Sequence, residues 1–374
     1  MSLNPLHSGE QQIEPGARFL GWLERFFRLS EHGSTWGREL VGGTTTFLAM
    51  SYIIFVQPGV LSQAGMDFQA VLYATCLASA LATLLMGLWA RYPVALAPGM
   101  GENFFFTFTL CATVPLGFGL SWQQALTAVF LSGLLFMFFS VFGLRGRIIN
   151  AIPDALKIGI AAGIGLFITL IGLEYGNLVA AHPSTLIRLG DVRSPVTWVA
   201  LAGLLTTMAL LAYHVRGAIL LGILVSSGLA WMLGLVHYQG VVSTDIRLAP
   251  TLFQFDFGGF FQMPWPSVAA VIFVLFFLVV FDSVGTLVGV GQQAGLMRAG
   301  KLPRAERALF SGAVGTTAGA ALGTSTIVCY IESAAGVSDG ARTGLANLVT
   351  GGWLLLAMLF SPLAAMVGGG VAVG

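Results

Sequence analysis

The sequence predicts an all-α polytopic membrane protein built as inverted seven-span repeats, in which two broken spans each carry a short strand. Three observations point there: a composition with too few charges for a water-facing surface, a succession of apolar segments of bilayer length, and basic residues gathered on one side of those segments. Of the 374 residues, 56% are hydrophobic and 9% are charged, whereas soluble domains carry about 25% charged residues. So few charges cannot cover a soluble surface, and much of the chain must face lipid. The 49 glycines agree, because glycine is commoner in membrane helices than in soluble ones.

Other classes are excluded on similar grounds. A net charge of +1 gives no reason to expect a nucleic-acid partner. Cys76, Cys111 and Cys329 lie in apolar runs without a C-x-x-C pair, so neither a metal site nor a disulfide framework is expected. The histidines, among them His182, His214 and His237, do not cluster, and no nucleophile–base signature or cofactor motif appears. Gly159, Gly163 and Gly165, and Gly285, Gly289 and Gly291, imitate parts of nucleotide loops but sit inside apolar spans, where close helix packing is the simpler role. Residues 1–37 are mixed and charged, read as a cytoplasmic N-terminal segment without a cleavable signal.

A spanning helix needs about 20 apolar residues. In chain order, spans are predicted near 40–62, 68–90, 94–114, 121–143, 154–174, 195–213 and 217–236 as a first repeat over 38–238. A loop at 239–264 on the extracellular or periplasmic side follows, and then spans near 265–290, 305–321, 322–337 and 341–360, with the start of a twelfth at 362–374. Two of these are broken near their starts, by Pro98, Gly99 and Gly101 and by Gly323, Thr324, Ser325 and Thr326. Each reads as an extended piece followed by a half helix. Such backbone is tolerated at membrane depth only where protein or a cavity surrounds it.

Alternating the spans from a cytoplasmic N-terminus tests the layout. Fourteen of the 17 basic residues then fall inside: Arg18, Arg25, Arg28, Arg38, Arg91, Arg145, Arg147, Lys157, Arg216, Arg298, Lys301, Arg304, Arg307 and Arg342. Arg188, Arg193 and Arg247 fall outside, the asymmetry expected of an inner or plasma membrane protein.

The break at 94–114 recurs at 322–337, and span 40–62 recurs at 265–290, both after about 225–230 residues. Seven spans per repeat invert the second copy, and inverted repeats with paired broken helices mark secondary transporters. A complete second copy over 265–374 and beyond would extend the chain to roughly 440–455 residues, so C-terminal spans are expected to be missing here.

A charge inside a span costs about 2.5–3.5 kcal/mol and needs a reason. Asp282, in FFLVVFDSVGTLVG, lies far from either end of its span. A low-dielectric site disfavours an unpaired charge, so this side chain can accept N–H donors from a polar solute or bind and release a proton. The bland alternative is a structural aspartate bonded to Ser283 or Thr286. Glu332, in GTSTIVCYIESAAG, stands beside the second half helix; the alternative is a helix-end carboxylate or a partner for Arg342. Glu102, in APGMGENFFFTF, can line the first half site or only cap its own helix, and Asn103 can bond a heterocycle edge. Phe104, Phe105 and Tyr330 could stack on a flat ring, although with 28 phenylalanines in the chain packing is the default.

The segments GGTTTFLAMSYIIFVQPGVLSQAGMD, APGMGENFFFTF, FDSVGTLVGVGQQAGL and GTSTIVCYIESAAGVSDGARTGL resemble the nucleobase–cation symporters, specifically the azaguanine-like branch of adenine, guanine and hypoxanthine permeases. The resemblance runs from about residue 22 to the end. It implies a fold of fourteen spans in core and gate domains, purine substrate between spans 3 and 10, and import with protons. Binding carboxylates carry over to Asp282 and Glu332, with Asn103, Phe104 and Tyr330 beside them, and a homodimer is compatible with it. Glu102-Asn103-Phe104 departs from the family pattern of a hydrophobic residue followed by Asn-Ala, which puts the choice of purine in doubt. An anion transporter or channel of the same architecture, and an inactive truncated paralogue, stand as rivals; an acidic site opposes the first.

Overall fold

The computed structural model describes residues 15–113, 117–141, 154–182, 184–215, 217–236, 240–243, 245–298 and 302–366. Arg145, Arg147, Arg216, His237, Lys301 and the end of the expected twelfth span lie outside these residues. The elements in order are α1 (Pro15–Phe27), α2 (Trp36–Met50), α3 (Ile53–Ser62), α4 (Phe68–Leu85), β1 (Leu96–Pro98), α5 (Met100–Phe105), α6 (Trp122–Val141) and α7 (Asp154–Tyr175). There follow β2 (Val179–His182), β3 (Leu186–Leu189), α8 (Pro195–Ala212), α9 (Ala218–Met232), α10 (Phe257–Phe260), α11 (Trp265–Gln293), α12 (Ala305–Leu322), β4 (Ile327–Cys329), α13 (Ser333–Ser338) and α14 (Leu345–Ala357).

Among the described residues, six helical runs are long and apolar enough to cross a bilayer: 36–62, 68–90, 122–141, 195–212, 265–293 and 345–366. At 1.5 Å per residue α11 is about 44 Å long, longer than a hydrocarbon layer about 30 Å thick. One local departure from the expected spans has a physical cause. Span 40–62 is two helices, α2 and α3, that meet at Ser51 and Tyr52, where Ile54 and Phe55 reach back only three residues to bond. Pro58, one turn into α3, supplies no N–H to Ile54. Residues 361–366 are helical and follow α14 through a 3₁₀ turn at Met358–Phe360. The segment between α7 and α8 is a hairpin of β2 on β3.

The interior is organised around small residues. α12 is glycine-, alanine- and threonine-rich, and it packs against α4 and α6. A Cβ on Gly315 would come within 2.7 Å of the Ala82 methyl, so only glycine permits that approach. Glu39 of α2 is fully buried and accepts the backbone N–H groups of Arg342 (3.0 Å), Thr343 (3.1 Å) and Ala346 (3.2 Å) at the start of α14. It thereby satisfies donors that a helix start leaves open.

β1 and β4 form an antiparallel pair with Leu96 opposite Cys329, Ala97 opposite Val328 and Pro98 opposite Ile327. Gly99 N–H bonds Thr326 O at 3.1 Å, and Tyr330 N–H bonds Ala95 O at 2.9 Å. Each strand also has an outer edge that lipid could not satisfy. Thr83 of α4 serves both backbone groups of Leu96, its hydroxyl donating to the carbonyl (3.0 Å) and accepting from the N–H (2.9 Å). Thr316 of α12 does the same for Ile327, at 3.0 Å each way. The two breaks expected from the sequence therefore meet, and each half helix leaves from an opposite end of the strand pair.

Candidate functional site

Beside the strand pair lies a cavity of about 240 Å³. Tyr52, Glu102, Asp282, Thr286, Cys329, Tyr330 and Glu332 bring polar groups to it, and Gly99, Met100, Ile168, Val328 and Ile331 complete its wall. Three carboxylates therefore line one space, and among the described residues no cationic side chain does. Five elements or junctions converge: the α2–α3 break, the start of α5, α7, the middle of α11, and the turn between β4 and α13.

Asp282 is held on α11 with its side chain open to the cavity, and it makes no hydrogen bond to another described residue. The anticipated bonds to Ser283 or Thr286 are not formed. Glu332 accepts the Tyr52 hydroxyl at 2.6 Å. It is not paired with Arg342, whose guanidinium donates to the carbonyls of Val337 (2.5 Å) and Ala341 (2.7 Å). Tyr330 donates to Pro98 O at 2.6 Å, tying the turn after β4 to the end of β1, and its ring lies 6.4 Å from that of Tyr52.

Glu102 is 2% exposed, and its Oε1 is buried without a hydrogen-bond partner. Its other carboxylate oxygen folds back over Gly99, where a Cβ would collide with it. The cavity thus contains one carboxylate held by a phenol and two that bond no side chain of another described residue.

Three other residues singled out from the sequence face elsewhere. Successive residues of a helix point about 100° apart, so Asn103 cannot follow Glu102 into the cavity. Its Oδ1 accepts the Ser325 hydroxyl, and Ser325 in turn accepts from Gln57 Nε2 at 3.0 Å. Gln57 also bonds Thr324 Oγ1 at 3.0 Å. Asn103 therefore joins the two breaks behind the cavity. Phe104 packs on Phe108 and Phe167, with centroids 6.0 and 6.2 Å away. Phe105 lies against the apolar cluster of Val60, Phe106 and Leu126.

Sequence reasoning did not assign Tyr52 or Cys329 to the site, and it considered Thr286 only as a partner for Asp282. Tyr52 had a signal, since Ser51 and Tyr52 interrupt an apolar run ahead of Pro58.

Comparison with known proteins bears on the family and the fold. A model described as Permease family matches residues 37–374. An adenine permease of Escherichia coli is 41% identical over 355 residues, which is 95% of this chain and 78% of the relative. A guanine/hypoxanthine permease of Bacillus subtilis is 44% identical over 358 residues, 92% of this chain and 80% of the relative. Among solved structures, the transmembrane domain of the cyanobacterial bicarbonate transporter BicA superposes with a TM-score of 0.65 at 16% identity, covering 90% of this chain and 86% of that one. The murine solute carrier 26 family member A9 anion transporter, in its inward-facing state, gives 0.61 at 13% identity, covering 100% and 68%. At those identities the likeness extends to the fold alone.

Proposed function

The chain belongs to the permease family, with nucleobase permeases among its relatives, and we propose that it imports purine bases across the cell's inner or plasma membrane together with protons. It is a permease and an integral membrane protein, not an enzyme. Adenine, guanine and hypoxanthine are the candidate substrates, taken from the names of the relatives.

The observation that carries the reading is the group of three carboxylates around one cavity of about 240 Å³ with no cationic side chain among the described residues that line it. Purines present N–H donors along their edges, and carboxylates accept them with charge-assisted strength. Anionic solutes find no such partner there. That opposes the reading of an anion transporter, although the fold is shared with such proteins. The Tyr52 and Tyr330 rings border the same space and offer faces to a flat ring.

In this mechanism Asp282 and Glu332 accept substrate N–H groups, and one of them carries the coupled proton. Proton uptake removes a charge that would otherwise be buried as the elements around the site move. Glu102 adds a third acceptor. Asn103 supports the site from behind through Ser325, and Phe104 packs the wall of α7; both act on position and not on the substrate itself. The Thr83 and Thr316 clasps, each on the helix preceding its strand, support the reading of inverted repeats, which rock about a fixed site.

The test is uptake of labelled adenine, guanine and hypoxanthine by cells without their own purine permeases, with and without a protonophore. Expected are saturable uptake of at least one base, its loss on collapse of the proton gradient, and its loss in Asp282→Asn. Uptake that persists in both Asp282→Asn and Glu332→Gln removes the carboxylates from the mechanism. Uptake indifferent to the protonophore removes the proton.

A further inference from the structure

A second and larger cavity, of about 600 Å³, lies outside the carboxylate site. It is bounded by the end of α1 and the following turn, the residues after α4, the turn after α11, the start of α12 and the residues just before α14. Six arginines line it: Arg28, Arg91, Arg298, Arg304, Arg307 and Arg342. Glu31 is the one acidic side chain among the described residues on its wall, and it is spent on Arg28 at 3.4 Å. All six arginines are among the residues that charge bias assigns to the cytoplasmic side. That bias explains why they occupy one face of the protein. It does not explain why five stretches of chain aim them at one concavity.

Two of these side chains are fixed in place by aromatic rings and not by carboxylates. The Arg91 guanidinium sits 4.2 Å from the centre of the Phe26 ring, and Arg304 lies 5.3 Å from that of Tyr92. Arg91, Arg298, Arg304 and Arg307 form no ion pair with a described carboxylate. The accumulated positive charge is felt locally. Burial lowers the His32 pKa from its ordinary value, and the nearby Arg304 lowers it further. Burial likewise lowers Arg91, with Arg304 adding to the shift. Like charges held this close repel, and an anion would relieve the repulsion.

We propose that this cavity is a binding site for a phosphate-bearing anion, contributed either by an anionic phospholipid headgroup or by a soluble phosphate compound. Guanidinium groups recognise phosphate oxygens through paired N–H donors, and basic pockets on the cytoplasmic side of membrane helices are a recurrent setting for lipid headgroups. The volume falls in the range of about 300–1,000 Å³ typical of small-molecule sites. Occupation joins the end of α11, which carries Asp282, to α12 and to the α1–α2 junction, so it stabilises the fold without touching the transport cavity.

The test uses the full purified chain. Thermal unfolding is followed in neutral detergent with inorganic pyrophosphate. In parallel, native mass spectrometry follows retention of phosphatidylglycerol against phosphatidylcholine. The Arg298→Gln/Arg307→Gln double variant is compared with Arg188→Gln/Arg193→Gln, two arginines placed elsewhere. The first pair makes no side-chain bond within the described residues, so its melting temperature without ligand should match that of the parent. Saturable stabilisation by pyrophosphate identifies soluble phosphate as an occupant, and selective retention of phosphatidylglycerol identifies the lipid. In either case the Arg298/Arg307 variant should bind at least about tenfold more weakly, and the control should not change. No saturable effect from either probe, or equal binding in both double variants, overturns the proposal.

Discussion

The two broken segments are alike in build and unlike in chemistry. Each is a three-residue strand followed by a six-residue helix, and each strand is clasped on its outer edge by a threonine from the preceding long helix. In the first, an extended Gly99 (φ −70°, ψ 131°) enters α5 directly, and the carboxylate appears at the third helical residue, Glu102. In the second, Tyr330 and Ile331 intervene, and the carboxylate is the residue just before the helix, Glu332. Glu332 is therefore within reach of the Tyr52 hydroxyl, whereas Glu102 turns back over Gly99 with Oε1 unbonded. Backbone architecture at membrane depth is constrained by the need to satisfy every N–H and C=O, so it repeats. Side-chain chemistry is not so constrained, and the two halves diverge into one oriented acceptor and one unpartnered acceptor.

The largest expected effect breaks this contrast directly. Glu332→Gln should lower kcat/KM for base uptake about 100-fold, a loss of about 2.7 kcal/mol, because it removes the charge that Tyr52 orients. Glu102→Gln should cost less than about tenfold with an altered ranking among adenine, guanine and hypoxanthine, because no other group depends on Glu102. Labelled uptake at matched surface expression measures both. Equal losses would mean that the two carboxylates act as one acidic pair and that orientation by Tyr52 is irrelevant.

The shared part of the comparison is tested by the clasps. Thr83→Val and Thr316→Val keep shape and remove the hydroxyl, leaving a buried N–H and C=O of Leu96 or Ile327 unsatisfied. Each should destabilise the protein by about 1–3 kcal/mol, by similar amounts, as read from thermal unfolding of the purified variants. A large inequality would show that one strand finds another partner and that the two halves are not equivalent supports.

Much of this was legible in the sequence, for reasons the residues make plain. Pro98 with Gly99, and Gly323 with the Thr324–Thr326 run, announced the breaks because proline and glycine inside an apolar stretch leave few other options. Glu102, Asp282 and Glu332 were conspicuous because charge at that depth requires a cause, and the structure brings all three to one cavity together with Tyr330. Asn103 and Phe104 were adjacent to the first break, but adjacency in a helix does not mean a shared face, and the sequence alone could not say which of three consecutive side chains turned inward. Tyr52 escaped notice because the α2–α3 break carries no glycine; its proline, Pro58, lies six residues further on. The pairing of β1 with β4, 231 residues apart between Leu96 and Ile327, follows from no local pattern. The recurrence of the breaks marks a repeat and says nothing of contact between them.

A smaller effect is expected at Gly99. A Cβ there would meet the Glu102 carboxylate and come within 3.0 Å of Val328 Cγ2, so Gly99→Ala should push Glu102 out of its folded-back position and reduce uptake about tenfold. Because the nearer obstacle is a side chain and not backbone, Gly99→Ala/Glu102→Ala should recover part of the loss relative to Gly99→Ala alone. If the double variant is no better, the cost of the added methyl lies with Val328 and the strand pair, and the position of the Glu102 carboxylate does not matter.

The smallest effect is the one that most sharpens the contrast between the two halves. Tyr52→Phe deletes a single hydroxyl, leaving the ring beside Tyr330 and the carboxylate of Glu332 in place. A hydrogen bond to a charged group contributes about 1.5–3 kcal/mol, but here Glu332 remains open to the cavity, where water or substrate can replace the lost donor. The net change should therefore be nearer 1 kcal/mol, about a fivefold rise in KM with kcat little altered. Combined with Glu332→Gln, the same substitution should add almost nothing, since the phenol then has no charge to orient. If instead the two losses simply add, Tyr52 acts on the substrate by itself, and Glu332 is as unguided as Glu102.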